Sequence, residues 1–383
     1  MSRIGLVSDF YAPRIGGLEL HMRDLARELT LRGHEVVVFT ATAGEPLVDG
    51  IRVRRIGGAR VPGTSFICTP GAVRELQVQL LSERLDVLHC HSAFSPLALA
   101  AAWLGRQHGI PSVLTEHSVL KGLGYVLLDC VERALGWSDW PDVISAVSGY
   151  VAGELTRVTD GREAQVLPNG IRIEDWRLPH RDPESPVIVS VMRLMPRKRP
   201  VELVRMIPKI HAALPAALRP RFVLVGDGPE MVRVRAEAAR LGVTSHLHLP
   251  GWQPRSEIQK LLAGASLFVL PTSKEALSIA SLEALCAGVP VVAYAHGGIG
   301  DLVSDGRDGF LVDNSAQFVA RVAQLIRDPA LRARMASRTR QTAARFSWDH
   351  VIARHLELYA LAAERRHLRH NFRQPAAQLE RTA

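Results

Sequence analysis

Two glutamates, Glu275 and Glu283, stand with seven residues between them within the stretch from Pro271 to Ala293. Carboxylates grip hydroxyl groups through charge-assisted hydrogen bonds. The residues around them predict what lies between. Ser266 to Leu270 is a short apolar run suited to a buried parallel strand; Ser278 to Ala287 has helical spacing, and Gly288 and Pro290 end that helix. A helix that begins just beyond the C-terminal end of a strand presents free N–H groups to an anion. Ala276, Ser278 and Ala280 are small enough to let a phosphate reach the backbone. An anion flanked by hydroxyl-bearing groups describes a nucleotide-sugar, with ribose on one side and hexose on the other. Read singly, each carboxylate has a plainer role: Glu275 complements the helix dipole and Glu283 is a solvated surface residue.

Cations suited to such an anion occur in Arg193-Leu-Met-Pro-Arg-Lys198. Arginine supplies a fork of donors and lysine a point charge, both apt for phosphate oxygens. Gly16 and Gly17 open the first helix and also permit close backbone approach. Gly226 and Trp252 follow later strands; turn formation alone explains the glycine and packing alone explains the tryptophan. His89-Cys90-His91 ends one strand and Thr115-Glu116-His117 the next, with His89 and His91 on one face. A metal site is conceivable there, but no tight ligand cluster completes it, so strand-end packing and substrate contact are the preferred readings.

The elements that must hold these residues alternate in type. Arg3 to Ser8, Glu35 to Thr40, Ile51 to Arg55, Asp86 to His89, Ser112 to Thr115 and Asp142 to Ala146 read as strands with helical patterns between them, the first helix running from Gly16 to Arg32. After a linker from Arg177 to Pro186, Val187 to Met192 starts a second series of the same order. Such alternation predicts doubly wound parallel sheets. The 383 residues suffice for two domains, each with its own core.

A net charge of +9 suits anionic substrates, nucleic acid or an acidic membrane surface, and the lack of a basic block interleaved with aromatics sets nucleic acid aside. Four scattered cysteines predict reduced thiols in a cytoplasmic protein. No apolar run approaches the length of a membrane span, so a soluble protein, or one peripheral at the inner face of a membrane, is expected. G-x-G-x-x-G does not occur, which disfavours a dinucleotide oxidoreductase.

Glu275 and Glu283, with the tail Ala-Leu-Cys-Ala-Gly-Val-Pro-Val-Val, resemble the E-x7-E signature of retaining glycosyltransferases of family 4, and the resemblance extends over nearly the whole chain. Ala276-Leu277-Ser278 departs from the Gly-Phe-Gly common after the first glutamate, and is more like the branch with phosphatidylinositol N-acetylglucosaminyltransferase catalytic subunits and bacterial mannosyl- and glucosyltransferases. The resemblance implies the GT-B fold, two facing Rossmann-like α/β domains with a donor cleft between them. It implies an acceptor domain over 1–178, a nucleotide-sugar domain over 187–346 and a helix over 347–364 that crosses back; the last stretch, 365–383, is basic and without periodicity, and is expected to be a disordered tail. By residue, it implies that Arg193 and Lys198 bind the donor diphosphate and that His117 faces the donor sugar. Gly16, Gly17, Gly226, Trp252, Glu275, Ala276, Leu277, Ser278 and Glu283 line the donor site, and His117, Glu275, Arg193 and Lys198 act in catalysis.

The expected reaction is transfer of a hexose from a UDP- or GDP-sugar to an acceptor hydroxyl, with retention, no metal and no cofactor. The alternatives are a nucleotide-sugar epimerase and a non-catalytic sugar-nucleotide-binding subunit. The acceptor is unidentified; a lipid-linked or inositol-containing molecule is suggested by Arg52-Val-Arg54-Arg55, Arg60-Val-Pro62 and the apolar-bearing segment Val73 to Leu81, a combination able to rest on an anionic membrane, although a strand edge and an ordinary buried amphipathic helix are the plainer and preferred reading of the same residues.

Overall fold

A computed structural model describes residues 1–59, 66, 67, 69–120, 122–179 and 185–379, with side chains in the last helix described to 369. Two compact units result, Met1–Gly170 together with the chain from Trp348, and Ile171–Ser347.

The first unit runs β1 (Arg3–Ser8), α1 (Gly17–Leu31), β2 (Glu35–Thr40), β3 (Leu47–Val48), β4 (Ile51–Arg55), α2 (Pro70–Ser82), β5 (Val87–His91), α3 (Pro96–His108), β6 (Ser112–Glu116), α4 (Gly122–Leu135), β7 (Val143–Ala146), α5 (Gly149–Val158) and β8 (Gln165–Val166). The sheet order is β3-β4-β2-β1-β5-β6-β7-β8. Every pairing is parallel except β3 with β4, a short antiparallel edge that the sequence pattern did not announce. Helix starts follow side-chain chemistry: Thr69 and Ser95 accept from the amides of Ala72 and Ala98, each with proline at the first helical position.

The second unit runs β9 (Val187–Val191), α6 (Pro200–Ala212), β10 (Arg221–Val225), α7 (Met231–Arg240), β11 (Leu247–Gly251), α8 (Arg255–Ala263), β12 (Leu267–Leu270), α9 (Ile279–Cys286), β13 (Val291–Tyr294), β14 (Gly309–Val312), α10 (Ser315–Arg327) and α11 (Pro329–Ala344). Its sheet is wholly parallel, in the order β11-β10-β9-β12-β13-β14. Ile188, Ile207, Phe222, Leu267, Val292 and Phe318 form its core. This unit begins at Ile171, not after 178. Ile171 N–H donates to Phe346 O, and Ile173–Trp176 packs on α8 and α9, where Arg255 lies over the Trp176 ring. Of the expected linker, residues 180–184 lie outside the described residues.

The chain then returns to the first unit in α12 (Trp348–Leu379), whose Val351, Ile352, Leu358 and Tyr359 join the core with Ile4, Leu6 and Met22. The expected disordered tail is corrected: the helix continues to Leu379, and only 380–383 lie outside the described residues. The cause is a buried anion. Asp142 is fully buried and receives Arg366 Nη2 at 2.8 Å and Nε at 3.1 Å, while Arg365 donates to its carbonyl and Arg369 to that of Asp139.

The basic run on β4 takes the plainer of its two readings, part of a strand. Arg54 Nε and Nη2 meet the buried Glu83 carboxylate at 2.9 and 2.5 Å, Arg52 Nη1 meets it at 3.1 Å, and Arg55 donates to the carbonyls of Ala12, Thr42 and Glu45. These cations hold the fold together, because a nearly inaccessible carboxylate requires partners. Arg60-Val-Pro62 lies outside the described residues. Among the described residues no helix is long and apolar enough to cross a membrane.

Candidate functional site

In the second unit the strand order reverses between neighbours β9 and β12, the place where open α/β sheets bind ligands beyond the C-terminal ends of their strands. The loops leaving these two strands carry the predicted residues. Leu194 is buried and anchors the loop after β9, which leaves Arg193 exposed, with no ion-pair partner among the described residues. A 3₁₀ turn, Pro196–Lys198, then directs Lys198 toward the loop after β12. Lys198 Nζ donates to Glu275 Oε1 at 2.7 Å and Oε2 at 2.5 Å, with both side chains about one-eighth exposed (13% and 12%). Two residues 77 positions apart are thus one ion pair.

Glycines set where these groups lie. Gly226 has φ +129°, and a Cβ there would fall 1.9 Å from Met192 O, so only glycine lets the loop after β10 press against the backbone beside Arg193. Met192 N–H donates to Val225 O and Leu194 N–H to Asp227 O, joining the two loops. On the other side Gly297, at φ +95°, would place a Cβ 2.3 Å from Glu275 O, and Gly298 N–H donates to that oxygen at 2.7 Å. Glu275 is therefore held by backbone as well as by Lys198.

Ser278 caps α9 by accepting from Ser281 N–H. Leu277 and Ser278 are buried, Ala276 is half-buried, and Glu283 is half-buried inside α9. Burial chiefly, and then the Glu283 charge, raise the Cys286 thiol pKa. Trp252 is 56% exposed, just after Gly251, whose carbonyl accepts from Gly226 N–H.

The reversal in the first unit, between β1 and β5, is electrostatically the opposite. The buried Asp9 carboxylate accepts from Ser95 Oγ at 2.5 Å and Leu97 N–H at 3.2 Å, so it already occupies the N-terminus of α3; burial raises its pKa. Gly16 and Gly17 lie at the start of α1, where a Cβ on Gly16 would meet Glu19 Oε2 at 2.3 Å. Asp9 thus occupies the N-terminus of α3, while Glu19, beside the start of α1, is ion-paired with Arg14 Nε at 2.9 Å. At the second reversal the loops bring Arg193 and Lys198.

His117 follows β6 in the first unit. Its Nε2 lies 3.0 Å from Nδ1 of His91, and its ring centroid lies 5.4 Å from that of His21. His89, His355 and Tyr359 complete a buried cluster, and His21 stacks on Trp348. Burial drives all five imidazoles toward the neutral form: His117 falls to about 3, His355 to about 4, and His21, His89 and His91 well below the ordinary value. Among the described residues no His, Cys, Asp or Glu group is arranged to hold a metal ion. The preceding residue, Glu116, is fully buried and accepts from the amides of Ala93, His117 and Ser118 at 2.7, 2.9 and 2.6 Å. Burial raises its pKa to about 7 against those bonds. Ser92, held at φ +75°, fixes the adjoining loop.

Sequence reasoning missed His21, Glu116, His355 and Tyr359. A signal for His21 was present, since it falls between Leu18 and Leu25 on the apolar face of α1. The loop His296-Gly297-Gly298 is the backbone seat of Glu275.

Residues 173–342 match the family described as Glycosyl transferases group 1, and residues 15–175 match Glycosyltransferase Family 4. The chain is 29% identical over 318 residues to a phosphatidylinositol N-acetylglucosaminyltransferase subunit of Arabidopsis thaliana, covering 79% of this chain and 69% of that protein. It is 27% identical over 392 residues to a GDP-mannose-dependent alpha-(1-6)-phosphatidylinositol monomannoside mannosyltransferase of Mycobacterium tuberculosis, covering 92% and 97%. The Anabaena protein HepE, solved with UDP and glucose, shares the fold at a TM-score of 0.75 and 21% identity, covering 94% of this chain and 100% of that one.

Proposed function

The chain belongs to the family 4 glycosyltransferases of GT-B fold, and from that premise we propose that it transfers a hexose from a UDP- or GDP-sugar to an acceptor hydroxyl, with retention of anomeric configuration and without a divalent ion. The observation that carries the reading is the contrast between the two strand-order reversals: the one in the second unit is lined by the exposed Arg193 and the Lys198–Glu275 pair, whereas at the one in the first Asp9 already occupies the N-terminus of α3 and Glu19 is paired with Arg14. The charge of Arg193, unpaired among the described residues, favours a diphosphate at the second unit's reversal, whereas the anion position at the α3 N-terminus is already taken by Asp9. In this reading Arg193 and Lys198 stabilise the charge that grows on the departing nucleoside diphosphate, the task a metal ion performs in other enzymes. Glu275 holds hexose hydroxyls, Glu283 the ribose, and His117 serves the hexose. Gly226, Trp252 and the segment Ala276 to Ser278 shape the donor site, and no protein nucleophile is invoked.

The acceptor we propose is an inositol-containing or lipid-linked molecule reached by a peripheral enzyme at a cytoplasmic membrane face. Its support is the phosphatidylinositol-based names of the Arabidopsis and Mycobacterium relatives, since the β4 arginines are engaged within the fold. The test is a panel of UDP- and GDP-sugars, each incubated with inositol phosphate or phosphatidylinositol, with and without EDTA, followed by nucleoside diphosphate release and the product's anomeric signal. Acceptor-dependent release that survives EDTA supports the proposal. Conversion of the sugar nucleotide without acceptor indicates an epimerase, and binding without release a non-catalytic subunit.

A further inference from the structure

Under His117 runs a buried chain of hydrogen bonds whose direction can be assigned atom by atom. Ser145 Oγ donates to Leu114 O at 3.3 Å and lies 2.7 Å from Thr115 Oγ1. A hydroxyl has one proton, so Ser145 accepts from Thr115, and Thr115 in turn accepts from His89 Nε2–H at 2.7 Å. His89 is neutral in its buried site, so its Nδ1 bears a lone pair, and the Tyr359 hydroxyl on α12 donates to it at 2.9 Å. Both nitrogens of His89 are committed, which fixes its ring. His91 stacks on that ring, centroids 4.1 Å apart and planes at 30°, and its Nδ1 is thereby set 3.0 Å from His117 Nε2. The amides accepted by Glu116 immobilise the backbone at His117, leaving the imidazole rotation to be determined by its side-chain partner.

We propose that His91 is the positioning residue for His117: His91 Nδ1–H donates to His117 Nε2, so that His117 carries its own proton on Nδ1 and works as an N–H donor. The direction follows from His91 Nε2, which is fully buried with no partner among the described residues. With the proton on Nδ1, that orphan is a bare acceptor; the opposite tautomer would bury an unmet N–H, the rarer and costlier defect. The proposal rests on the reading that His117 serves the donor hexose.

The test is a double-mutant cycle joined to a spectroscopic measurement. His91→Leu removes the donor and should lower kcat about 100-fold, the usual scale for a misplaced active-site group. His91→Asn keeps an amide donor near the Nδ1 position and should recover most of that loss. In a His117→Ala background, His91→Leu should cost nothing further, whereas an equal loss in both backgrounds would mean a structural role and overturn the proposal. The ¹⁵N shifts of His117 in the unmodified protein should report Nδ1–H; an Nε2–H tautomer overturns the assignment even if the variants fail to fold. Full activity of His117→Ala would refute the role of His117 in transfer and not the hydrogen bond, which the ¹⁵N shifts decide independently.

Discussion

Acidification should unfold the first unit before the second. His21, His89, His91 and His355 are each at most 5% exposed and kept neutral in the fold, their pKa values lowered from 6.5 by burial. Below 6.5 the unfolded chain binds protons at these sites and the folded protein does not, so the stability they confer is complete above that value and lost as pH falls. At about pH 5.5 each costs about 1.4 kcal/mol, or about 5–6 kcal/mol for the four, and the half-buried His117, lowered to about 3, adds in the same direction, so this sum is a lower bound. Glu116 has the opposite sign: its pKa rises from 4.5 to about 7, the folded state binds the extra proton between those values, and it returns about 2 kcal/mol over the same interval. Asp9, also raised, adds to that compensation. The histidines win by number, leaving a loss of about 3 kcal/mol against a typical domain stability of about 5–15 kcal/mol. Hydrogen exchange in graded urea at about pH 7.5 and about pH 5.5 reads the two units separately, on peptides from β5 and β6 and from β12 and β13. Opening free energies should fall by about 3 kcal/mol in the first pair, while in the second unit the lowered His211 contributes at most about 1.4 kcal/mol. Equal losses in both, or none in the first, would refute the reasoning.

Gly297→Ala should weaken donor binding and lower the melting temperature, because its Cβ would overlap the Glu275 carbonyl at a backbone angle that disfavours alanine; calorimetry with and without sugar nucleotide checks both effects. Arg366→Ala should cost about 3 kcal/mol by leaving the buried Asp142 carboxylate short of a cation, and should expose residues 365–379 to limited proteolysis.

The regular elements were legible because β1 and β2 are continuous apolar runs buried on both faces and β4 alternates: all three have the ends their residue types indicate, and α9 lies within the helix expected from Ser278 to Ala287. Long-range partnerships were not. Nothing local joins Lys198 to Glu275, or gives His89 to Tyr359, because those bonds exist only after the sheet order and the return of α12 bring distant residues together. The same gap limited the composition argument twice. Arg365, Arg366 and Arg369 read as part of a disordered tail, and Arg52 and Arg54 left a membrane-facing surface open beside the plainer strand, until the buried carboxylates of Asp142 and Glu83 supplied their partners. Two-residue β3 is too short to leave a pattern at all.

The central claim, that the donor diphosphate sits at the strand-order reversal of the second unit, is tested most directly at Arg193, whose exposed side chain can be removed without breaking an ion pair. Calorimetric titration with UDP, GDP and their sugars should show Arg193→Ala binding its preferred nucleotide more weakly by about 1.5–3 kcal/mol, about 10- to 150-fold in Kd, with an unchanged melting temperature. An unaltered Kd for every nucleotide that the unmodified protein binds would contradict it.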